Sequence, residues 1–282
     1  MRSRLKRALL TTRAGRIALI GPRALKALQA SRVAPQLGRV LAWSVRSREI
    51  ANFTYETTRE SKLLLAGVVA EIAGRPLREV NAYVDELAAD TALARHVSAV
   101  ALAPGSRWHV DPGFLPGRRL AFYLLARSLK PARIVEAGVD TGLGAVLMSR
   151  ALTLNADEGR PGDYLGLELD AVKPIAVYES YPGKIGRIVR GDALALVRAE
   201  PRPIDLFIHD TIAEPGHMKS MLEAVRPLMA PGGVVASTWT TATLIEHALQ
   251  HGVKLLTHQE ETVGHWFPGD RVAFLYGYGT GA

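Results

Sequence analysis

Cysteine is absent from the 282 residues. That absence excludes disulfides, thiolate metal sites and cysteine nucleophiles, and it suits a reducing compartment. Aromatic residues are sparse, at 6%. No apolar run reaches the ~18 residues that a membrane-spanning helix needs. The opening "MRSRLKRALLTTRAGRIALI" is positive like a signal peptide, but Thr11, Thr12, Arg13 and Arg16 interrupt any apolar core. The expectation is a cytoplasmic protein, peripheral to a membrane at most. Acids are nearly missing from one region. Residues 1–50 hold 12 of the 35 Lys and Arg against the single acid Glu49, a local charge of +11, so the remainder carries −3. A near-neutral body therefore carries a basic head.

What is present falls into two halves. Residues 1–105 read as a basic helical region. Leu77, Val80, Val84 and Leu87 recur at helical spacing, and Gly74 and Pro76 separate that helix from "RESKLLLAGVVAEIA". "APGSRWHVDPGFLPGRR" marks the boundary as a Gly- and Pro-rich loop, with Trp108, His109 and Asp111 available to a lid. Across 106–282 strands and helices alternate: "ARIVEAG", "DYLGLELD", "GRIVRGD", "IDLFIHD" and "VVAST" are strands, each followed by a helical stretch. "KLLTHQ" and "RVAFLYGY" close the chain as an antiparallel pair. Five β/α steps predict an α/β fold with a doubly wound, mostly parallel sheet of seven strands.

Open sheets of this kind bind ligands beyond the carboxyl ends of their strands. Acids stand there repeatedly: Glu136, Glu168 (with Asp170), Asp192 and Asp210. The turn "EAGVDTGLG" after the first strand is no phosphate loop. Gly138 and Gly142 are four apart, and Asp140 stands where glycine would approach a pyrophosphate. Carboxylates repel phosphate. They suit a ligand with an amine, ribose hydroxyls and an adenine amino group.

In order and spacing, "VEAGVDTGLG", "LGLELD", "RGD", "IDLFIHD" and "LMAPGGVV" make residues 118–282 resemble the Rossmann-like, S-adenosylmethionine-dependent methyltransferases. The resemblance is closer to the small-molecule O-methyltransferase branch. It implies that Gly138 and Gly142 let the backbone approach the methionine part, with Glu136 orienting the turn or receiving the ammonium. It further implies that Glu168 takes both ribose hydroxyls and Asp192 meets the adenine amine. Metal-dependent relatives add an Asp at the end of strand four and a carboxylate pair after strand five. Here Asp210 fits the first, but Ser237-Thr238-Trp239 occupies the second, and His is missing at Ala213. No metal is expected.

A hydroxyl acceptor needs a base near working pH. Asp210 is the first candidate, then His217, with His209 and His265 behind them. The acceptor is expected to be a small or glycosylated molecule, such as a natural product or a cell-envelope sugar. The basic head suits an anionic membrane surface. Nucleic acid is the less favoured partner, since Trp43 is the only aromatic in residues 1–50. The alternatives are a tRNA or rRNA methyltransferase that grips RNA with the head, and a non-catalytic module of the same fold. Homo-oligomerisation stays open.

Overall fold

A computed structural model describes residues 33–47, 53–103, 113–171 and 174–279. Most of the basic head and the loop residues Trp108, His109 and Asp111 lie outside the described residues. The contacts divide the chain into two compact units. The described parts of the smaller are 33–47 and 264–266; the larger comprises 48–263 and 267–282.

The smaller unit contains helix α1 (Val33–Arg46). Trp43 meets Trp266 edge-on at 5.3 Å and His265 at 6.5 Å. Leu37, Leu41 and Val45, spaced four apart on one helical face, are all exposed.

The larger unit begins with α2 (Arg59–Ala73), α3 (Leu77–Ala89) and α4 (Thr91–Leu102). Thr58 caps α2 by accepting from the Ser61 N–H, and Gly74 ends it in the left-handed conformation. Leu65, Val69, Val80, Val84 and Leu87 enter the same core as Leu120, Phe122 and Leu124 of α5 (Arg119–Leu129). The contacts thus break the chain near residue 47, whereas composition placed the break near 105. Shared burial unites what the change of sequence pattern separates.

The sheet follows in the order β3-β2-β1-β4-β5-β7-β6. Its strands are β1 (Arg133–Ala137), β2 (Asp163–Glu168), β3 (Arg187–Arg190), β4 (Ile204–His209), β5 (Met229–Ser237), β6 (Lys254–Gln259) and β7 (Arg271–Tyr276). β1 to β5 are parallel, and β7 runs antiparallel between β5 and β6, as the sequence predicts. β5 starts earlier than expected and takes in the "APGG" stretch, with a register shift opposite Ile204–Leu206.

Alternate residues of the central strands supply two cores. Ile134, Leu206, Ile208 and Val234 face α5 and α6 (Leu143–Asp157). Val135, Phe207 and Val235 face α9 (Pro215–Val225) and α10 (Ala242–His251), while α7 (Ala176–Glu179) and α8 (Ala193–Arg198) complete the crossovers. Strands buried on both faces explain the near-continuous apolar runs. Arg127, almost fully buried on α5, is held by Glu86 at 2.8 Å, Glu158 at 2.6 Å and Asn155.

Candidate functional site

The strand order reverses between β1 and β4, which opens a crevice at their carboxyl ends. A cavity of about 310 Å³ lies there, and Gly138, Asp140, Glu168, Asp192, Asp210 and His217 help to line it. The structure therefore gathers Gly138, Glu168, Asp192, Asp210 and His217 of the predicted site around one space. Glu136, Gly142 and His209 do not line it.

Each position has a local cause. Gly138 has φ 91°, and a Cβ there would come within 2.7 Å of the Asp210 carbonyl carbon. Glycine is needed so that the β1 turn can lie against the β4 turn. Gly142 has φ 90°, and its absent Cβ faces Ile175 Cγ2 at 2.8 Å and Tyr178 Cβ at 2.9 Å. Packing against α7 by itself requires glycine at this position. Asp140 adopts φ 52° between the two, a left-handed conformation that Asp tolerates better than most residues.

Glu136 is buried beneath the turn. It accepts a hydrogen bond from the Tyr164 hydroxyl and faces Gly144 at the start of α6. Burial pushes its carboxyl up to about 8, with Asp210 adding to the rise, while Tyr164, Arg119 and Arg118 oppose it. Of its two expected roles, orienting the turn agrees with this position. Receiving an ammonium group in the cavity does not, because the side chain lies outside the lining.

Glu168 is 8% exposed at the end of β2. Its Oε2 accepts from the Val139 and Asp140 N–H groups at 3.2 and 2.8 Å, and its Oε1 accepts from Asp170 N–H at 3.0 Å. Those bonds tie the glycine turn to β2. Asp192 caps α8, accepting from Leu194 and Ala195 N–H at 3.3 and 3.2 Å. A carboxylate offers about four acceptor positions. Roughly one remains on Glu168 and two on Asp192.

Asp210 has a partner that sequence reading missed. Arg118 Nη2 lies 3.2 Å from both carboxylate oxygens, and the Thr238 hydroxyl donates to Oδ1 at 2.9 Å. Arg118 Nη1 also reaches Asp270 at 3.1 Å, and Tyr55 joins Asp270 to Glu260. Burial disfavours the guanidinium charge, but Asp210 and Asp270 outweigh it and hold Arg118 above its ordinary value. Burial likewise lifts Glu260 to about 7, against the Tyr55 hydrogen bond. The paired arginines in "PGRRLAF", entering an apolar helix, were the available signal of buried acidic partners.

His209 is 1% exposed at the end of β4. Burial, with His217 adding, pulls its pKa down to about 4, so its imidazole is neutral at ordinary pH. Its Nε2 stands 3.0 Å from Thr211 Oγ1, which is 3.4 Å from His217 Nε2. His217 faces the cavity with this chain behind it. His265 belongs to the smaller unit and stacks on Trp266.

A family model described as a methyltransferase domain matches residues 135–237, the span holding all five cavity-lining residues predicted from sequence. No curated protein matches the chain. Among solved structures, the O-methyltransferase TomG from Streptomyces achromogenes, in complex with SAM, is 18% identical. The match covers 67% of this chain and 91% of TomG, with a TM-score of 0.49. An O-methyltransferase from Bacillus cereus in complex with SAH is 16% identical over 70% of this chain and 99% of its own, at TM-score 0.44. A methyltransferase from Geobacter sulfurreducens is 18% identical over 71% and 97%, at 0.46. The strand order, rather than these distant similarities, carries the fold.

Proposed function

From the match of residues 135–237 to a methyltransferase-domain model and from the strand order, we propose that the chain is an S-adenosylmethionine-dependent methyltransferase of the Rossmann-like class that methylates an oxygen of a small or glycosylated acceptor without an essential metal. The carrying observation is the cavity, whose lining includes Glu168 and Asp192 from the ends of β2 and β3 and Thr211 and His217 from beyond β4, with β1 between them in the sheet. The acids suit the ribose hydroxyls and adenine amine of the methyl donor. The histidine suits a hydroxyl that must lose its proton as the methyl group arrives. In-line approach to a sulfonium methyl needs positioning more than further chemistry.

Asp210 was the first candidate for the base, and its surroundings favour His217 instead. Both Asp210 oxygens face Arg118, and one also accepts from Thr238. The same arrangement disfavours a divalent cation: a guanidinium stands against the one carboxylate that would ligate it, and Ser237 and Thr238 supply no second. Hard cations need several oxygen ligands. His217 is thus the proposed base, Thr211 orients it, and neutral His209 supports Thr211.

Transfer of labelled methyl groups from S-adenosylmethionine to a panel of hydroxylated small molecules, with RNA run in parallel, tests this reading. Turnover is expected to survive EDTA and to fall at least 100-fold in His217→Ala, with S-adenosylhomocysteine affinity unchanged. Labelling of RNA alone, or activity abolished by EDTA and restored by magnesium, would overturn it.

The exposed Leu37, Leu41 and Val45, with Arg39 and Arg46 on the same helix, favour a peripheral membrane role for the head. Each engaged cation adds roughly 1 kcal/mol at an anionic surface. Co-sedimentation with phosphatidylserine vesicles is therefore expected at low salt and is expected to be lost in a chain that begins at Ser47. Equal sedimentation of both chains would remove this part of the proposal.

A further inference from the structure

A second cluster of chemically capable side chains lies between α9 and α10, away from the cavity. His247 and His251 are four residues apart on α10, so both project from one face. Glu223 on α9 stands opposite them. Its Oε1 is 3.2 Å from His251 Nε2 and 3.8 Å from His247 Nδ1, and one ligand atom from each of the three residues lies within 4.8 Å of the others.

We propose that Glu223, His247 and His251 form a binding site for a divalent transition-metal ion of the zinc type, which joins α9 to α10. Zinc takes imidazole nitrogen and carboxylate oxygen at about 2.0–2.2 Å, so neighbouring ligands around a tetrahedral ion stand roughly 3.3 Å apart. The 3.2 and 3.8 Å separations bracket that value. A direct hydrogen bond explains the first distance but not the second, which is too long for one. An ion shared by the three atoms explains both.

The surroundings orient the ligands. Tyr278 Oη lies 3.4 Å from His247 Nε2. A proton held on Nε2 by that contact leaves the Nδ1 lone pair directed at Glu223, an outer contact of the kind that fixes metal-binding histidines. Arg226 Nε sits 3.9 Å from Glu223 Oε2, so the other oxygen, Oε1, is the one turned towards the histidines. A cavity of about 50 Å³ beside Glu223 and His247, lined also by Thr243, Glu246 and Gln250, has room for a water as fourth ligand. Nitrogen-rich ligation with one carboxylate selects zinc over magnesium or calcium, which prefer oxygen throughout. His217 and Glu223 are six residues apart on α9, about 9 Å along its axis. The proposed ion therefore belongs to the scaffold behind the methyl-transfer site.

The full chain without a polyhistidine tag, stripped with a chelator, would be titrated with zinc chloride against a chromophoric chelator. Cobalt(II) would be titrated in parallel as a spectroscopic substitute. The expectation is one equivalent of zinc bound with submicromolar Kd, a raised melting temperature, and visible cobalt bands. His251→Ala and Glu223→Gln should each weaken zinc at least 10-fold and flatten the cobalt bands. Unchanged S-adenosylhomocysteine affinity would show both variants to be folded. Absence of saturable zinc binding in the wild type, or equal affinity in both variants, overturns the proposal.

Discussion

Glu168 decides how far the acids at the strand ends serve a ligand rather than the fold. Three backbone N–H groups already occupy its carboxylate, from Val139, Asp140 and Asp170. With about four acceptor positions in all, one is left, on Oε1. One ribose hydroxyl can therefore bind without disturbing the turn, and the second requires the Asp170 N–H to give way. This narrows the expectation that Glu168 takes both hydroxyls. A single hydrogen bond to a charged acceptor contributes about 1.5–3 kcal/mol. Glu168→Ala should accordingly weaken S-adenosylhomocysteine by about 10- to 150-fold.

The same substitution strips acceptors from the turn. The Val139 N–H is buried, and leaving one such donor unsatisfied costs about 1–3 kcal/mol. In a body of this size that lowers the melting temperature by roughly 2–12 °C. Calorimetry at 10 °C, well below the transition, keeps loss of binding separate from loss of fold. Glu168→Gln should fall between wild type and Ala: its carbonyl can still accept from Val139 and Asp140, while its amide N–H₂ opposes Asp170 N–H. A lowered melting temperature with affinity within about 3-fold of wild type would refute the ligand role and leave Glu168 as turn support.

Asp192→Ser keeps a side chain able to cap α8 but shortens its reach into the cavity, so affinity should fall with the helix intact; equal affinity in Ser and wild type would refute the adenine contact. Glu136→Gln should flatten the dependence of stability on pH. The folded protein keeps the Glu136 proton up to about 8, whereas an unfolded Glu releases it near ~4.3, so wild-type stability falls as pH rises through that window, by an amount on the order of a few kcal/mol. Parallel melting curves for the two proteins from pH 5 to 8.5 would contradict this. Arg127→Met should cost roughly 2–4 kcal/mol in denaturant unfolding, below the full buried-pair value because Glu86 and Glu158 keep contact with water. A change under about 0.5 kcal/mol would show that the pairs contribute little.

The parallel sheet was legible because its central strands are buried on both faces and so read as nearly continuous apolar runs, such as "LFI" before His209. The acids at the strand ends were legible because a hydrophobic run that stops at a carboxylate marks where the chain leaves the core. Arg118 was not legible. Its partners Asp210 and Asp270 are 92 and 152 residues away, and no periodicity links positions joined only by folding. The membership of α2 and α3 in the larger unit was hidden for the same reason, since their apolar faces do not announce which neighbour covers them. For Gly142 the resemblance implies backbone approach to the methionine part, and its packing against Ile175 and Tyr178, beyond the next strand, was not legible.

A residue at a strand end need not choose between structural and functional duty. Glu168, Asp192 and Asp210 all carry bonds that the fold itself requires. For Glu168 and Asp192 those bonds come from backbone N–H groups, which leave acceptor positions open and hold the carboxylate in one orientation. For Asp210 the partner is a guanidinium, which engages both oxygens at once. Three similar carboxylates, at corresponding points of the sheet, are thereby fitted to different work. In the function proposed above, two would serve as preorganised acceptors for a neutral polar ligand edge, and the third as a fixed anchor for the loops around the cavity. The difference is set by the donors each one meets.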